Sequence, residues 1–460
     1  MPYTSISRRA WLKRCGILAA ATAFPYLLPS GRLFAQTGSQ LAAHVVVVIL
    51  GKGIRWQEAV GKGYLRLSQY TANPVPENDI SGNIMPNLWT GDAPTQKIVY
   101  GIDPPDIATG GQYGSLLVTP VVQQALQTQG FTFGAMQTPH NDYFASLSAL
   151  LTGNNANSTA ANPQRPSLPT IFEYVRRYMG VSPLKTWWIG KGIEQGVPLL
   201  NHSQHSDFGA AWGANFMAPD VLWSNKGSAY WGNNQATSHP YIAEMTQFLD
   251  RQFVPPLPLP DIGNSPADRY QIASFVQYLH QKGSAAVNAP IPEAMRNADT
   301  QQITYTCELL RHFQPTLSVV QLSEADIAHT NFTQYLRSLY RADYAIAYLW
   351  QYIQTQIAPM ANNTCLLVIS DFGRNTNPNN QTDANAWRGY DHDDTDNSLR
   401  SFALLLCPNL SPTNLSIGTP DNPLGDNRHV ALTIAEVLGI KTEVANAGYV
   451  FSAQSLIDFI

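Results

Sequence analysis

Charge is scarce in this chain: Lys, Arg, Asp and Glu make up 13% of 460 residues, and the formal net charge is −4. Such a composition cannot build a strongly basic surface, which excludes nucleic acid and electrostatic docking to anionic lipid. Cysteine is scarcer still, with four residues in all. Cys15 lies near the start, which leaves Cys307, Cys365 and Cys407 in the body of the chain. Cys365 and Cys407 both fall in apolar, strand-like runs, so buried free thiols are expected rather than disulfides. The apolar run 17–28 is shorter than the roughly 20 residues a bilayer crossing needs, so no permanent membrane anchor is expected. What the chain does have is 44% hydrophobic residues, enough for a sizeable core, with Asn, Gln, Ser and Thr to solvate the surface.

The first 36 residues read as an export signal. Arg8 and Arg9 stand before Trp11 and Leu12, an apolar stretch follows, and small Ala35 suits a cleavage near Gln36 or Thr37. A twin-arginine leader is expected, with the twin-arginine translocase as partner during export and a periplasmic or secreted destination. Residues 37–460 are then one elaborated domain.

Along that domain, continuous apolar runs alternate with helical segments. Strands are expected at 44–50, 131–136, 185–189, 317–322, 364–369 and 400–407. Helices are expected at 145–151, from 168, at 332–356 and at 430–438. Residues 73–114 read as loop with short edge strands. Residues 196–300 break the rhythm and read as an insertion or cap, with an amphipathic segment near 270–281. The alternation predicts an α/β fold, with a mainly parallel central sheet and helices on both faces. Ligands of such sheets bind beyond the carboxyl ends of the strands.

Polar groups gather at those ends. Asp326 and His329 follow one strand at a spacing that lets both converge on a point, and Asp371 ends another. His392 sits among carboxylates in Gly389-Tyr390-Asp391-His392-Asp393-Asp394. An oxygen and imidazole set suits one divalent metal ion, zinc, manganese or calcium. Each residue also has a plainer reading: Asp326 as a helix cap, His329 as polar surface, Asp371 as a turn residue and the acidic loop as a solvated face. Lys52 and Arg374 can hold an anionic oxygen or form surface salt bridges. His429 stands alone and reads as structural.

These residues carry a family resemblance. The order of strand ends resembles the alkaline phosphatase superfamily, and Ala145-Ser146-Leu147-Ser148-Ala149-Leu150-Leu151-Thr152-Gly153 resembles the helix after the sulfatase nucleophile. Ser370-Asp371-Phe372-Gly373-Arg374 resembles the sulfatase Ser-Asp-His-Gly. The pattern is similar to that of sulfatase-like exported bacterial proteins with a Ser-Asp/Glu-Phe-Gly-Arg strand end and a later Gly-x-Asp-His. The resemblance implies that Asp326, His329, Asp371 and His392 hold metal. It also implies a hydrolase acting on a phosphate or sulfate ester of a small molecule or glycan.

The departures are specific. Leu50-Gly51-Lys52-Gly53 lacks the first-strand Asp, Phe372 replaces a ligand His, and Tyr143 stands at the nucleophile's place. Tyr143 needs a cationic neighbour to ionise. His140 and Asp142 in the same loop can supply a base, Asp142 can equally cap the helix, and Ser146 is a buried fallback. A mononuclear site with attack by water fits this pattern, and the competing reading is an exported, non-catalytic binding protein on the same fold.

Overall fold

The computed structural model describes residues 38–66, 79–92, 120–192, 194–223, 262–384, 387–411 and 416–460, with two short paired strands, Tyr26–Leu27 and Leu33–Phe34. The export motif, the cleavage point and most of the expected 73–114 loop lie outside these residues.

The core is an eight-stranded sheet. Its strands are β1 (His44–Leu50), β2 (Phe131–Gln137), β3 (Thr186–Ile189), β4 (Asn215–Met217), β5 (Leu317–Leu322), β6 (Thr364–Ser370), β7 (Arg400–Leu406) and β8 (Ser416–Ile417). The spatial order is β8-β2-β7-β6-β1-β5-β3-β4. Only β7 runs against its neighbours, pairing antiparallel with β6 and β2. The expected mainly parallel α/β sheet is what forms.

β1 shows why its sequence has no polar alternation. Val46, Val48 and Leu50 point into one apolar layer, and Val45, Val47 and Ile49 into another. A strand buried on both faces must be apolar at every position. The first layer is closed by α3 (Pro266–Lys282), α4 (Ala298–Phe313) and α5 (Phe332–Gln356). The second is closed by α1 (Tyr143–Thr152), α2 (Ile171–Met179) and α6 (His429–Val437).

The stretch read as an insertion contributes to this core at both ends. Met217 of β4 packs in the first layer and Phe216 in the second, and Ile272, Phe275 and Val276 of α3 pack in the first. Its irregular composition hid a three-residue edge strand, too short to show a period.

Cys365 and Cys407 are not free thiols. They form a disulfide, because the antiparallel register that pairs Leu366 with Leu406 sets the two cysteines opposite each other at the next position. Cys307 is the free, buried cysteine among the described residues.

Because β7 is antiparallel, the chain needs no crossover helix between β6 and β7. It leaves β6 at Ser370 and returns at Arg400 at the same end of the sheet, so the turns beginning at 371 and ending at 399 lie at the carboxyl ends of the parallel strands. No helix among the described residues is long and apolar enough to cross a membrane.

Candidate functional site

Three strand ends meet here: the turn after β1, the short helix Glu324–His329 after β5, and the turn after β6. Asp371 builds the join. Its Oδ2 accepts from the Lys52 N–H at 2.9 Å, and its Oδ1 accepts from Gly53 and Phe372 at 3.1 and 2.8 Å. The carboxyl is fully buried, and that burial pushes its pKa up to about 7 against the three hydrogen bonds. This is the turn-residue reading, and it leaves Asp371 behind the crevice with its oxygens engaged by backbone.

The missing first-strand carboxylate has a steric counterpart. A Cβ on Gly51 would lie 2.5 Å from the Leu322 carbonyl oxygen and 2.8 Å from the Gln321 side-chain nitrogen. No side chain can occupy that position.

Arg374 is another correction. It is fully buried, with Nε donating to Gly53 O, Nη1 to Tyr390 O, and Nη2 to Lys52 O and Ala325 O. The guanidinium ties the three strand-end segments together through their carbonyls. Its planar fork serves the backbone and faces no substrate.

Lys52 does face the crevice. It holds a left-handed φ of 74°, unusual for a residue with a side chain. Its Nζ donates to Gln195 Oε1 and lies 3.8 Å from Asp326 Oδ2 and 4.0 Å above the centre of the Tyr143 ring. Tyr143, at the start of α1, thus lies against Lys52 with the ammonium on its ring face. His140 turns elsewhere: its Nε2 accepts from Ala156 N–H at 3.3 Å. Burial holds the His140 pKa below its ordinary value, and the charged groups around it are Asp142, Arg428 and Asp426. Asp142 caps α1 by accepting from Ala145 N–H at 2.9 Å, and Ser146 donates to His140 O at 2.7 Å. His429 accepts from Asp426 N–H and packs beside Phe451 and Phe459, a structural placement.

The remaining residues form the open part of the site. Asp326 and His329 lie together, with 52% and 34% of their side chains exposed. His329 Nδ1 is 2.8 Å from Asp391 Oδ1, which also accepts from Asn379 Nδ2 at 2.9 Å. Burial works to raise the Asp391 pKa, but the bonds from His329 and Asn379 outweigh it and hold the carboxyl below its ordinary range. Asp391 thus engages Nδ1, and the other ring nitrogen, Nε2, lies 3.8 Å from Asp326 Oδ1.

His392 lies alongside, its ring centre 5.0 Å from that of His329 and 4.9 Å from that of Phe372. Burial, then the charge of Arg374 and of a protonated His329, hold the His392 pKa below its ordinary value. Sequence reasoning passed over Asp391 as an orienting group, although it stands next to His392 in the same motif. Nothing in the sequence pointed to Gln195 or Asn379, which arrive from distant loops.

These placements test the expected metal set. Asp326 and His329 fit two positions around one ion with bonds of about 2.0–2.2 Å, and Asp391 holds the other imidazole nitrogen as orienting carboxylates do. His392 is the nearest further donor. Asp371 does not fit, and among the described residues no group of three or more His, Cys, Asp or Glu side chains is gathered around one point.

The fold and site define an α/β protein with its polar crevice at the carboxyl ends of a mostly parallel sheet. No family model and no curated protein matches the chain. It is similar to a solved alkaline phosphatase superfamily protein from Vibrio parahaemolyticus, at 11% identity and TM-score 0.39 over 91% of this chain and 71% of that one. It is also similar to the lipoteichoic acid synthase LtaP from Listeria monocytogenes, at 9% and 0.40 over 91% and 77%. A third similar structure is the alkaline phosphatase from the Antarctic bacterium TAB5, at 10% and 0.40 over 86% and 98%. Likenesses this distant say nothing of site chemistry, which rests on the residues themselves.

Proposed function

We propose that the chain is a hydrolase of phosphate or sulfate esters that uses one divalent ion held by Asp326 and His329, with His392 as the nearest further ligand. The observation that carries this is the placing of Asp326 Oδ1 and His329 Nε2 3.8 Å apart, with Asp391 on the other ring nitrogen. An ion there supplies Lewis-acid polarisation of an ester oxygen. Asp391 orients the His329 ring through Nδ1. Lys52 supplies positive charge beside Asp326, where an anionic ester oxygen can meet it. Tyr143, nearly buried beneath that ammonium, packs rather than attacks, so water is the nucleophile.

The test is titration of metal-stripped protein with zinc, manganese and calcium by calorimetry, alongside turnover of p-nitrophenyl phosphate and sulfate. One ion per chain is expected, lost in Asp326→Ala and His329→Ala and weakened about 10–100-fold in Asp391→Asn. No binding of any of the three ions sinks the proposal. Binding without turnover of either ester leaves the second reading, a ligand-binding protein, which the engagement of Asp371 and Arg374 by backbone favours.

Export by the twin-arginine translocase to the periplasm or beyond is part of the proposal and rests on Arg8 and Arg9. Replacing both by Lys is expected to retain the protein in the cytoplasm, as fractionation will show.

A further inference from the structure

A cavity of 300 Å³ opens at the opposite end of the sheet, where β6 begins and β7 ends. It is lined by Gln129, Trp350, Gln354, Asn362, Cys407 and Leu410, among others, and none of its lining residues is ionisable. Trp350 comes from the last turns of α5 and is half-buried, packed against the core on one side. Its ring is a rigid wall. Gln354, one helical turn on, accepts from Asn362 N–H at 3.0 Å through Oε1. That bond orients the amide and leaves Nε2 buried without a hydrogen-bond partner. A buried donor left unpaired is unfavourable, and a ligand acceptor would satisfy it. The Cys365–Cys407 disulfide ties the far wall to β6.

Those features select a class of ligand. With no ionisable group in the lining, nothing compensates a charged ligand's desolvation, which excludes anions and cations alike. Gln129, Gln354 and Asn362 are carboxamide residues that can donate and accept, and Trp350 offers an apolar face. We propose that this cavity is a binding site for a neutral sugar residue, stacked on Trp350 and hydrogen-bonded to Gln354, Asn362 and Gln129. A volume of 300 Å³ suits one such ring. The site is independent of the ester-hydrolysis reading, because it lies at the other end of the strands and uses none of its residues.

The test applies the full chain to an array of neutral, sulfated and acidic oligosaccharides, with calorimetry on any hit. Neutral hexose or N-acetylhexosamine probes are expected to bind, with affinity at least tenfold weaker in Trp350→Ala and in Gln354→Leu. Asp326→Ala is expected to bind the same probes as the unaltered chain, which separates this site from the crevice. If Trp350→Ala does not fold, Trp350→Phe takes its place and is expected to bind more weakly while unfolding at a similar temperature. No neutral probe bound, a preference for charged probes that persists in Asp326→Ala, or unchanged affinity in Gln354→Leu would overturn the assignment.

Discussion

Arg374 and Lys52 are equivalent in the sequence, each a cation just beyond a strand, yet the fold gives them opposite tasks. Arg374 is buried against the carbonyls of Gly53, Tyr390, Lys52 and Ala325. An ammonium cannot reproduce that fork, so Arg374→Lys leaves buried acceptors unpaired and is expected to cost about 3–5 kcal/mol, read from the urea midpoint. An unchanged midpoint would contradict the tying role. Asp371 and Asp326 diverge in the same way. Both follow strands, but Asp371 turns back to three backbone N–H groups while Asp326 stays half-exposed beside His329. Local sequence shows that a carboxylate ends a strand, but which way it points depends on a backbone more than 300 residues away, at Lys52 and Gly53.

At the scale of elements, β7 is decisive. Its apolar run was readable as a strand, but its direction was not, because an antiparallel and a parallel buried strand have the same composition. That direction brings His392 and Asp391 to the crevice and faces Cys365 with Cys407. The disulfide closes a separation of 42 residues, for which loop entropy gives roughly 4 kcal/mol. Replacing both cysteines by serine is expected to lower thermal stability by about that amount, measured by calorimetry. A midpoint that does not move would show the bridge to be absent or idle. By contrast, α1 was legible almost to the residue: Asp142 caps it and Gly153 ends it with a left-handed φ of 68°.

At the scale of the molecule, further carboxyls lie buried. Burial pushes Glu173, Asp299 and Asp343 each up to about 7. Unfolded, such groups ionise near pH 4. Between about pH 4 and pH 7 these groups hold more protons in the folded chain than in the unfolded one, and their contribution to stability falls as pH rises through that window. Buried histidines act the other way: burial pushes His202 down to about 3 and His280 to about 4, so their contribution rises with pH up to about 6.5. Asp343→Asn removes one of the three carboxyls and is expected to shift the urea midpoint at pH 8 upward relative to that at pH 5, compared with the unaltered chain, while lowering stability throughout, since Asp343 accepts from Asn87 and Leu88. An unchanged difference between the two pH values would contradict this.

The sequence by itself determined the α/β class and most strand and helix positions, because burial on both faces forces continuous apolar runs and capping is local. It also brought Asp326, His329, Tyr143 and His392 forward as residues at strand and helix ends. Tertiary structure alone decided that Asp371 and Arg374 serve the backbone, that Asp391 orients His329, and that two cysteines pair. Those outcomes depend on contacts between segments far apart in the chain, where direction and register choose each side chain's partner.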